Sequence, residues 1–233
     1  MEVRVAMAKT HKYAVSESGD TLELTERPKG GFSLILADGQ GSGRAAKQNS
    51  NLVVAKAVAM IGEGARDGAV ARAVHDVLFA ARDGRVSAEL LIVSADTATD
   101  TLVISRNTAC PVLVYANGEA TPLPGEAGPI GVRASTKPRI DILPLAIDTV
   151  IVGFSDGIWH AGRSYSNQWD TNTLCQLLVQ HARDPERLVE SVLADALARD
   201  QGRPRDDMTV FAVAVSARSE VRRIRRLNAS FPI

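Results

Sequence analysis

FSLILADGQGSGRAA, residues 32–46, carries an apolar run into Asp38-Gly39, through the further glycines Gly41 and Gly43, and on into a segment of helical periodicity. Two chemistries compete for such a turn. Its backbone N–H groups could cradle a phosphate, as a nucleotide-binding loop does. Alternatively, it could hold Asp38 at the end of a rigid strand as an oxygen ligand for a metal ion, with the Gly39 carbonyl turned toward the same ion. On the second reading Gly41 and Gly43 permit the sharp entry into the helix.

The phosphate reading fails on pattern. The spacing is not G-x-G-x-x-G, and no G-K-[ST] follows. A dinucleotide fold also needs parallel βαβ units, and the surrounding sequence predicts something else. Residues 44–63 and 67–82 have the apolar spacing of two amphipathic helices. Residues 88–95, 100–106 and 111–116 are β-rich, are separated by turn signals and read as an antiparallel meander. Residues 139–146 and 149–156 are further strands. Two more helices follow at 172–182 and 185–200, the second with Pro185 in its first turn, and a buried strand closes the series. Two helix pairs separated by runs of strands predict an α+β fold.

Composition narrows the function. The 27 basic and 27 acidic residues balance, and aromatics are 4% of the chain. Neither a phosphate-tracking charge nor a base-stacking platform is present, so nucleic acid is not an expected partner. Cys110 and Cys175 are far apart and form no disulfide framework or zinc motif. No apolar run has signal-peptide or membrane-span character, so a cytoplasmic protein without a membrane partner is expected. The expected organisation is one domain over residues 1–216 and a basic tail over 217–233. Arg218, Arg222, Arg223, Arg225 and Arg226 give the tail its charge, as a short helix or a loose end.

Acidic residues recur where strands meet loops: Asp20 in SGD, Asp38 in ADG, Asp156 in SDG, and the pair Asp206-Asp207. One Asp-Gly usually just starts a turn. Several at strand ends of one domain imply a cation between them, because clustered carboxylates repel. Gly153-Phe154-Ser155-Asp156-Gly157 also has the form of a hydrolase nucleophile elbow. That fold needs an acid and then a histidine downstream, and His160 is too near while His181 falls in a predicted helix. Ser155 is therefore expected to cap or pack the turn presenting Asp156.

These residues together resemble the metal-dependent protein phosphatases, the protein phosphatase 2C-like superfamily. The likeness is strongest to the bacterial branch typified by the stage II sporulation phosphatase and the phosphatases of general-stress sigma-factor pathways. SGD at 18–20, ADGQGSG at 37–43, GPIGV at 128–132, FSDGIW at 154–159 and RDDMTVFAV at 205–213 occur in the family's order. The resemblance implies a central antiparallel β-sandwich flanked by helix pairs, a four-layer α-β-β-α arrangement. It implies two Mn²⁺ or Mg²⁺ ions bridged by Asp38, with Gly39 offering its carbonyl, Asp156 and Asp206 as further ligands, and Asp20 as an additional one. Asp38, Asp156 and Asp206 would carry catalysis: serine/threonine phosphoprotein hydrolysis by metal-activated water attacking phosphorus in line. The implied partner is a phosphorylated regulatory protein, such as an anti-sigma-factor antagonist or a stress-signalling scaffold. The chain departs from eukaryotic members in having Gln40 where they carry a histidine, and in lacking a clear N-terminal phosphate-binding arginine; Arg4 is the one candidate. That implies slower turnover with the leaving group protonated by water. His11, His75, His160 and His181 are expected in packing or surface roles. The alternatives are a catalytically weak phosphoprotein-binding module of the same fold and a nucleotide-binding enzyme.

Overall fold

A computed structural model describes residues 1–218 and 224–230. The strands are β1 (Glu2–Thr10), β2 (Asp20–Glu26), β3 (Gly31–Gly39), β4 (Ala88–Asp96), β5 (Thr101–Asn107), β6 (Leu113–Ala116), β7 (Glu119–Pro122), β8 (Arg139–Pro144), β9 (Thr149–Phe154) and β10 (Met208–Ser216). The helices are α1 (Gly43–Gly62), α2 (Asp67–Ala81), α3 (Asp156–Trp159), α4 (Thr171–His181) and α5 (Pro185–Arg199).

Two five-stranded sheets form, ordered β1-β10-β9-β6-β7 and β2-β3-β4-β5-β8. Every pairing between these strands is antiparallel. The central strands are apolar on both faces, and the period of two assigns each face to a different layer. Leu34, Leu36, Leu91, Val93, Ile151, Phe211 and Val213 fill the space between the sheets. Their neighbours point outward: Ile35, Leu90 and Ile92 pack on α1 and α2, while Val150, Val152, Val210 and Ala212 pack on α4 and α5. Three apolar layers between four structural layers make the α-β-β-α sandwich expected from the sequence.

The predicted helices are present to within a residue or two, and α5 does begin at Pro185, with Asp184 Oδ1 accepting from Arg187 N at 3.1 Å. The expected meander is corrected. β4 and β5 form a hairpin, but the third strand, β6, leaves for the other sheet and pairs with β9. The cause is that the free edge of β5 is taken by β8. Three elements went unforeseen, one of them a 3₁₀ turn at Arg163–Tyr165. β7 pairs with β6 through Asn117 (φ 54°) and Gly118 (φ 87°), both in the left-handed region that a tight hairpin turn needs. The single turn α3 starts at Asp156 itself. The tail's reading as a helix or loose end falls in part on residues 219–223 and 231–233, outside the described residues. Residues 224–230 are neither helix nor strand, and Arg225 Nη1 lies 2.6 Å from Glu26 Oε1.

Candidate metal centre

Strand direction gathers the acidic residues at one end of the sandwich. Asp20 opens β2, Asp38 nears the end of β3 and Glu89 nears the start of β4, so the antiparallel register sets Asp20 and Glu89 on either side of Asp38. In the other sheet β9 ends at Phe154, Asp156 starts α3, and Asp206 and Asp207 precede β10. The sheets are tied at this end. Thr209 Oγ1 on β10 donates to Asp20 Oδ2 on β2 at 2.5 Å. Asp207, buried, accepts from Lys12 N at 2.8 Å and Gly19 N at 2.7 Å.

Close backbone approach explains two of the glycines. A Cβ on Gly39 would lie 2.2 Å from the Ala46 carbonyl oxygen, so only glycine lets β3 turn beneath α1. A Cβ on Gly157 would lie 2.1 Å from the Asp207 carbonyl oxygen, which fixes α3 against the 206–207 loop. Gly41 and Gly43 take φ of 96° and 67°, the sharp helix entry expected. Ser155 packs the turn and does not cap α3. Its hydroxyl donates to Asp207 O at 3.2 Å and accepts from Thr209 N at 3.0 Å, pinning β9 to β10.

The electrostatics are those of crowded carboxylates, which the charges of Lys9 and Lys12 only partly offset. Burial, then the charges of Asp20, Asp156 and Glu89, push the Asp38 carboxyl up to about 11. Burial raises Asp20 to about 7, against the opposing effect of the Thr209 hydrogen bond. Asp156 is raised by burial and by Glu89, and Asp206 by burial and by Asp156. The neighbouring Asp38 and Asp156 carboxyls also act on each other, raising the first and lowering the second. Asp20 Oδ1 is buried with no hydrogen-bond partner. Among the described residues, no group of three or more His, Cys, Asp or Glu side chains stands ready to hold a metal ion as placed.

The structure thus brings Asp20, Asp38, Asp156 and Asp206 to one end of the fold, with the Asp38-Gly39 turn among them. It does not bring Arg4 there. Arg4 pairs with Ala214, six residues along β1 from Thr10 at the acidic end, a separation of about 20 Å at the rise of a strand. Its guanidinium bonds Glu186 at 3.3 Å, so it is corrected to a role elsewhere. Gln40 is also committed, its Oε1 accepting from Ser87 N at 2.9 Å and Ser87 Oγ at 3.1 Å. Of the histidines, His75 is buried with Nδ1 accepting from Gly131 N. His160 is half-exposed, with Nδ1 3.9 Å from Asp156 Oδ2.

Sequence reasoning missed Glu89, Thr209 and the structural part of Asp207. Glu89 accepts from Thr108 Oγ1 at 2.5 Å and Ala109 N at 3.3 Å beside the cluster. The available signal was a carboxylate at the head of the otherwise apolar strand AELLIVSA. The strand register that sets it against Asp38 had no sequence signal.

The family model for stage II sporulation protein E (SpoIIE) matches residues 28–216. No curated protein matches the chain. Three solved structures share the architecture. One is the PP2C phosphatase domain with a fragment of the regulatory domain of SpoIIE from Bacillus subtilis, at TM-score 0.77 and 17% identity, covering 92% of this chain and 64% of that one. Another holds the RsbU and RsbW domains of Rv1364c from Mycobacterium tuberculosis, at TM-score 0.77 and 21% identity, covering 94% and 62%. The third is the catalytic domain of the serine/threonine protein phosphatase PstP in complex with two manganese ions, at TM-score 0.70 and 16% identity, covering 92% and 99%. The likeness is one of fold, and the chain spans less than two thirds of the length of the first two.

Proposed function

The chain belongs to the stage II sporulation protein E family, and from that premise we propose that it is a Mn²⁺- or Mg²⁺-dependent serine/threonine phosphoprotein phosphatase. The observation that carries the reading is the meeting of Asp20, Asp38, Asp156 and Asp206 at one end of the sandwich, with Asp20 Oδ1 buried and unpartnered. An all-oxygen donor set suits hard divalent ions, and burial together with the neighbouring carboxylates raises the proton affinities of Asp20 and Asp38. Asp38, the Gly39 carbonyl, Asp156 and Asp206 would hold two ions, with Asp20 as an additional ligand. The chemistry such ions supply is polarisation of a phosphoryl group and activation of water at neutral pH.

The protein's own groups leave hydrolysis to water. Ser155 Oγ is buried and spent on Asp207 and Thr209. The Cys110 thiol is buried, and burial and the Glu89 charge hold it protonated. Neither is a nucleophile. Thr209 orients Asp20, and Asp207 anchors residues 12–19 so that the 206–209 segment keeps its place. With Gln40 bonded to Ser87, no side chain in that turn donates a proton to the leaving group, which fits protonation by solvent and modest turnover.

The substrate in this reading is phosphoserine or phosphothreonine on a bacterial regulatory protein in the cytoplasm, either an anti-sigma-factor antagonist or a stress-signalling scaffold. The support is the family and the likeness to an RsbU domain. Residues 1–216 form the phosphatase domain, with 217–233 as a basic appendage. Among the described residues no helix is long and apolar enough to cross a membrane. A second reading is a catalytically weak phosphoprotein-binding module of the same fold. The two separate by assay. Release of phosphate from p-nitrophenyl phosphate and a phosphoserine peptide should require Mn²⁺ or Mg²⁺, stop in EDTA, and be lost in Asp38→Asn, Asp156→Asn and Asp206→Asn. A folded, metal-loaded protein that is inert, or variants that all stay active, would reject the phosphatase.

A further inference from the structure

The segment that leads from α5 into Asp206 carries two exposed arginines, Arg203 and Arg205, on either side of the buried Pro204. Arg203 Cζ lies 5.3 Å over the Tyr13 ring, and Arg205 Cζ lies 5.2 Å over the Tyr165 ring. Among the described residues neither guanidinium makes an ion pair or a hydrogen bond. The backbone beneath them is fixed. Asp200, buried just after α5, accepts from Gly162 N through Oδ1 and from Arg205 N through Oδ2, both at 2.9 Å, so both of its oxygens are spent on backbone. Pro204 O accepts from Tyr13 N at 2.8 Å. Arg199 Nη1 donates to Asn167 O at 2.8 Å and Gln168 O at 3.2 Å, which ties down the loop bearing Tyr165.

A guanidinium lying over an aromatic ring keeps its in-plane N–H donors free, and that planar fork matches a carboxylate. The rim is made by residues 11–18, 162–168 and 200–205. Together they hold four lysines and arginines against Glu17 and the spent Asp200. In the proposed function Asp156 and Asp206 are engaged by metal, which leaves the rim net positive. Tyr13 is 56% exposed and Tyr165 37%, so both stacked pairs lie on the outer surface and not among the carboxylates. Residues flanking a phosphoserine would pass there, while the phosphate itself would sit deeper. Resting on the phosphatase reading, we propose that Arg203 and Arg205 are specificity residues that select phosphoprotein segments with acidic side chains next to the phosphoserine.

Two serine peptides test it, one with glutamates on both sides of the serine and one with glutamines there, each with and without phosphate. In fluorescence anisotropy with the Mn²⁺-loaded full chain, the unphosphorylated glutamate peptide should bind more tightly than its glutamine counterpart. Combining Arg203→Ala with Arg205→Ala should abolish that difference. An exposed ion pair is worth up to about fivefold. At low salt, kcat/KM for the glutamate phosphopeptide should therefore exceed that for the glutamine one by about five- to twentyfold, mainly through KM. The preference should shrink with added sodium chloride and vanish in the double variant, while turnover of p-nitrophenyl phosphate stays at the wild-type value. Tyr165→Phe keeps the ring under Arg205 and should keep the preference. No preference in the wild type, a preference that survives the double variant, or p-nitrophenyl phosphate turnover that falls along with it overturns the proposal. A wild-type protein that hydrolyses nothing yet shows the arginine-dependent binding would support the acidic-peptide rim and reject the phosphatase, which separates the two.

Discussion

Thr209 donates its hydroxyl to Asp20 Oδ2 across the two sheets at 2.5 Å, and the other Asp20 oxygen is left buried and unpaired. One bond therefore both closes the sandwich and aims a carboxylate. Thr209→Val keeps the shape and removes the donor. Mn²⁺ affinity should fall about tenfold or more, the usual effect of losing a bond that orients a ligand. Thr209→Ser should restore most of it. Unchanged Mn²⁺ titrations in Thr209→Val would mean that Asp20 takes no part in holding metal.

The crowding of carboxylates gives metal-free protein an unusual pH dependence. Asp20 and Asp38 bind protons more tightly folded than unfolded. Their contribution is therefore fully present below the unfolded carboxyl range and is lost as pH rises, for Asp20 between 3.8 and about 7. In EDTA the melting temperature should drop between pH 5 and pH 8, and saturating Mn²⁺ should flatten the drop by displacing the protons. Asp38→Asn should melt a few degrees higher than wild type at pH 8 in EDTA, roughly the shift of ~1 kcal/mol in a domain of this size. An Asp38→Asn protein less stable than wild type under those conditions would contradict the electrostatic account.

Glu89 contributes charge to the cluster without being one of the aspartates of the motif. Thr108 Oγ1 and Ala109 N bond different oxygens of Glu89; in Glu89→Gln the amide oxygen can keep Ala109 N while the amide NH₂ donates to the Thr108 hydroxyl, which can accept. The fold should survive while Mn²⁺ binding weakens by about threefold to tenfold, a long-range Coulomb effect of ~1 kcal/mol. Raising ionic strength should shrink the difference between the two proteins.

Gly39 and Gly41 lie two residues apart and should respond differently to alanine. Gly39→Ala drives a Cβ into the Ala46 carbonyl and should destabilise by about 1–3 kcal/mol, with the turn displaced. At Gly41 the space is open and only the φ of 96° resists, for a cost of about 1 kcal/mol. Urea unfolding of both variants measures the contrast.

Much of this was legible in the sequence because the signals were local. The nearly all-apolar runs 32–37 and 149–154 announce strands buried on both faces, and the helix pairs follow from their apolar period. Asp38, Asp156 and Asp206 stand out because each meets a strand end beside a turn. What stayed hidden was relational. β6 changes sheets because β8, much later in the chain, claims the edge of β5. Glu89 reaches the site through register with Asp38, and Thr209 through a hydrogen bond to a residue 189 positions away. Arg4 was misplaced for the same reason, since its distance from the acidic end is set by its pairing with β10.

β10 is the last strand among the described residues, yet it lies inside its sheet, between the first strand and β9. Asp206 and Thr209 arrive with it. On a ribosome, the earlier strands must wait with an open slot until this segment emerges, and pairings of such long sequence separation form slowly. On the proposed function, a nascent chain that stops short of β10 should therefore bind no Mn²⁺ at the acidic end. The appearance of Mn²⁺ binding would mark the moment when β1 and β10 join.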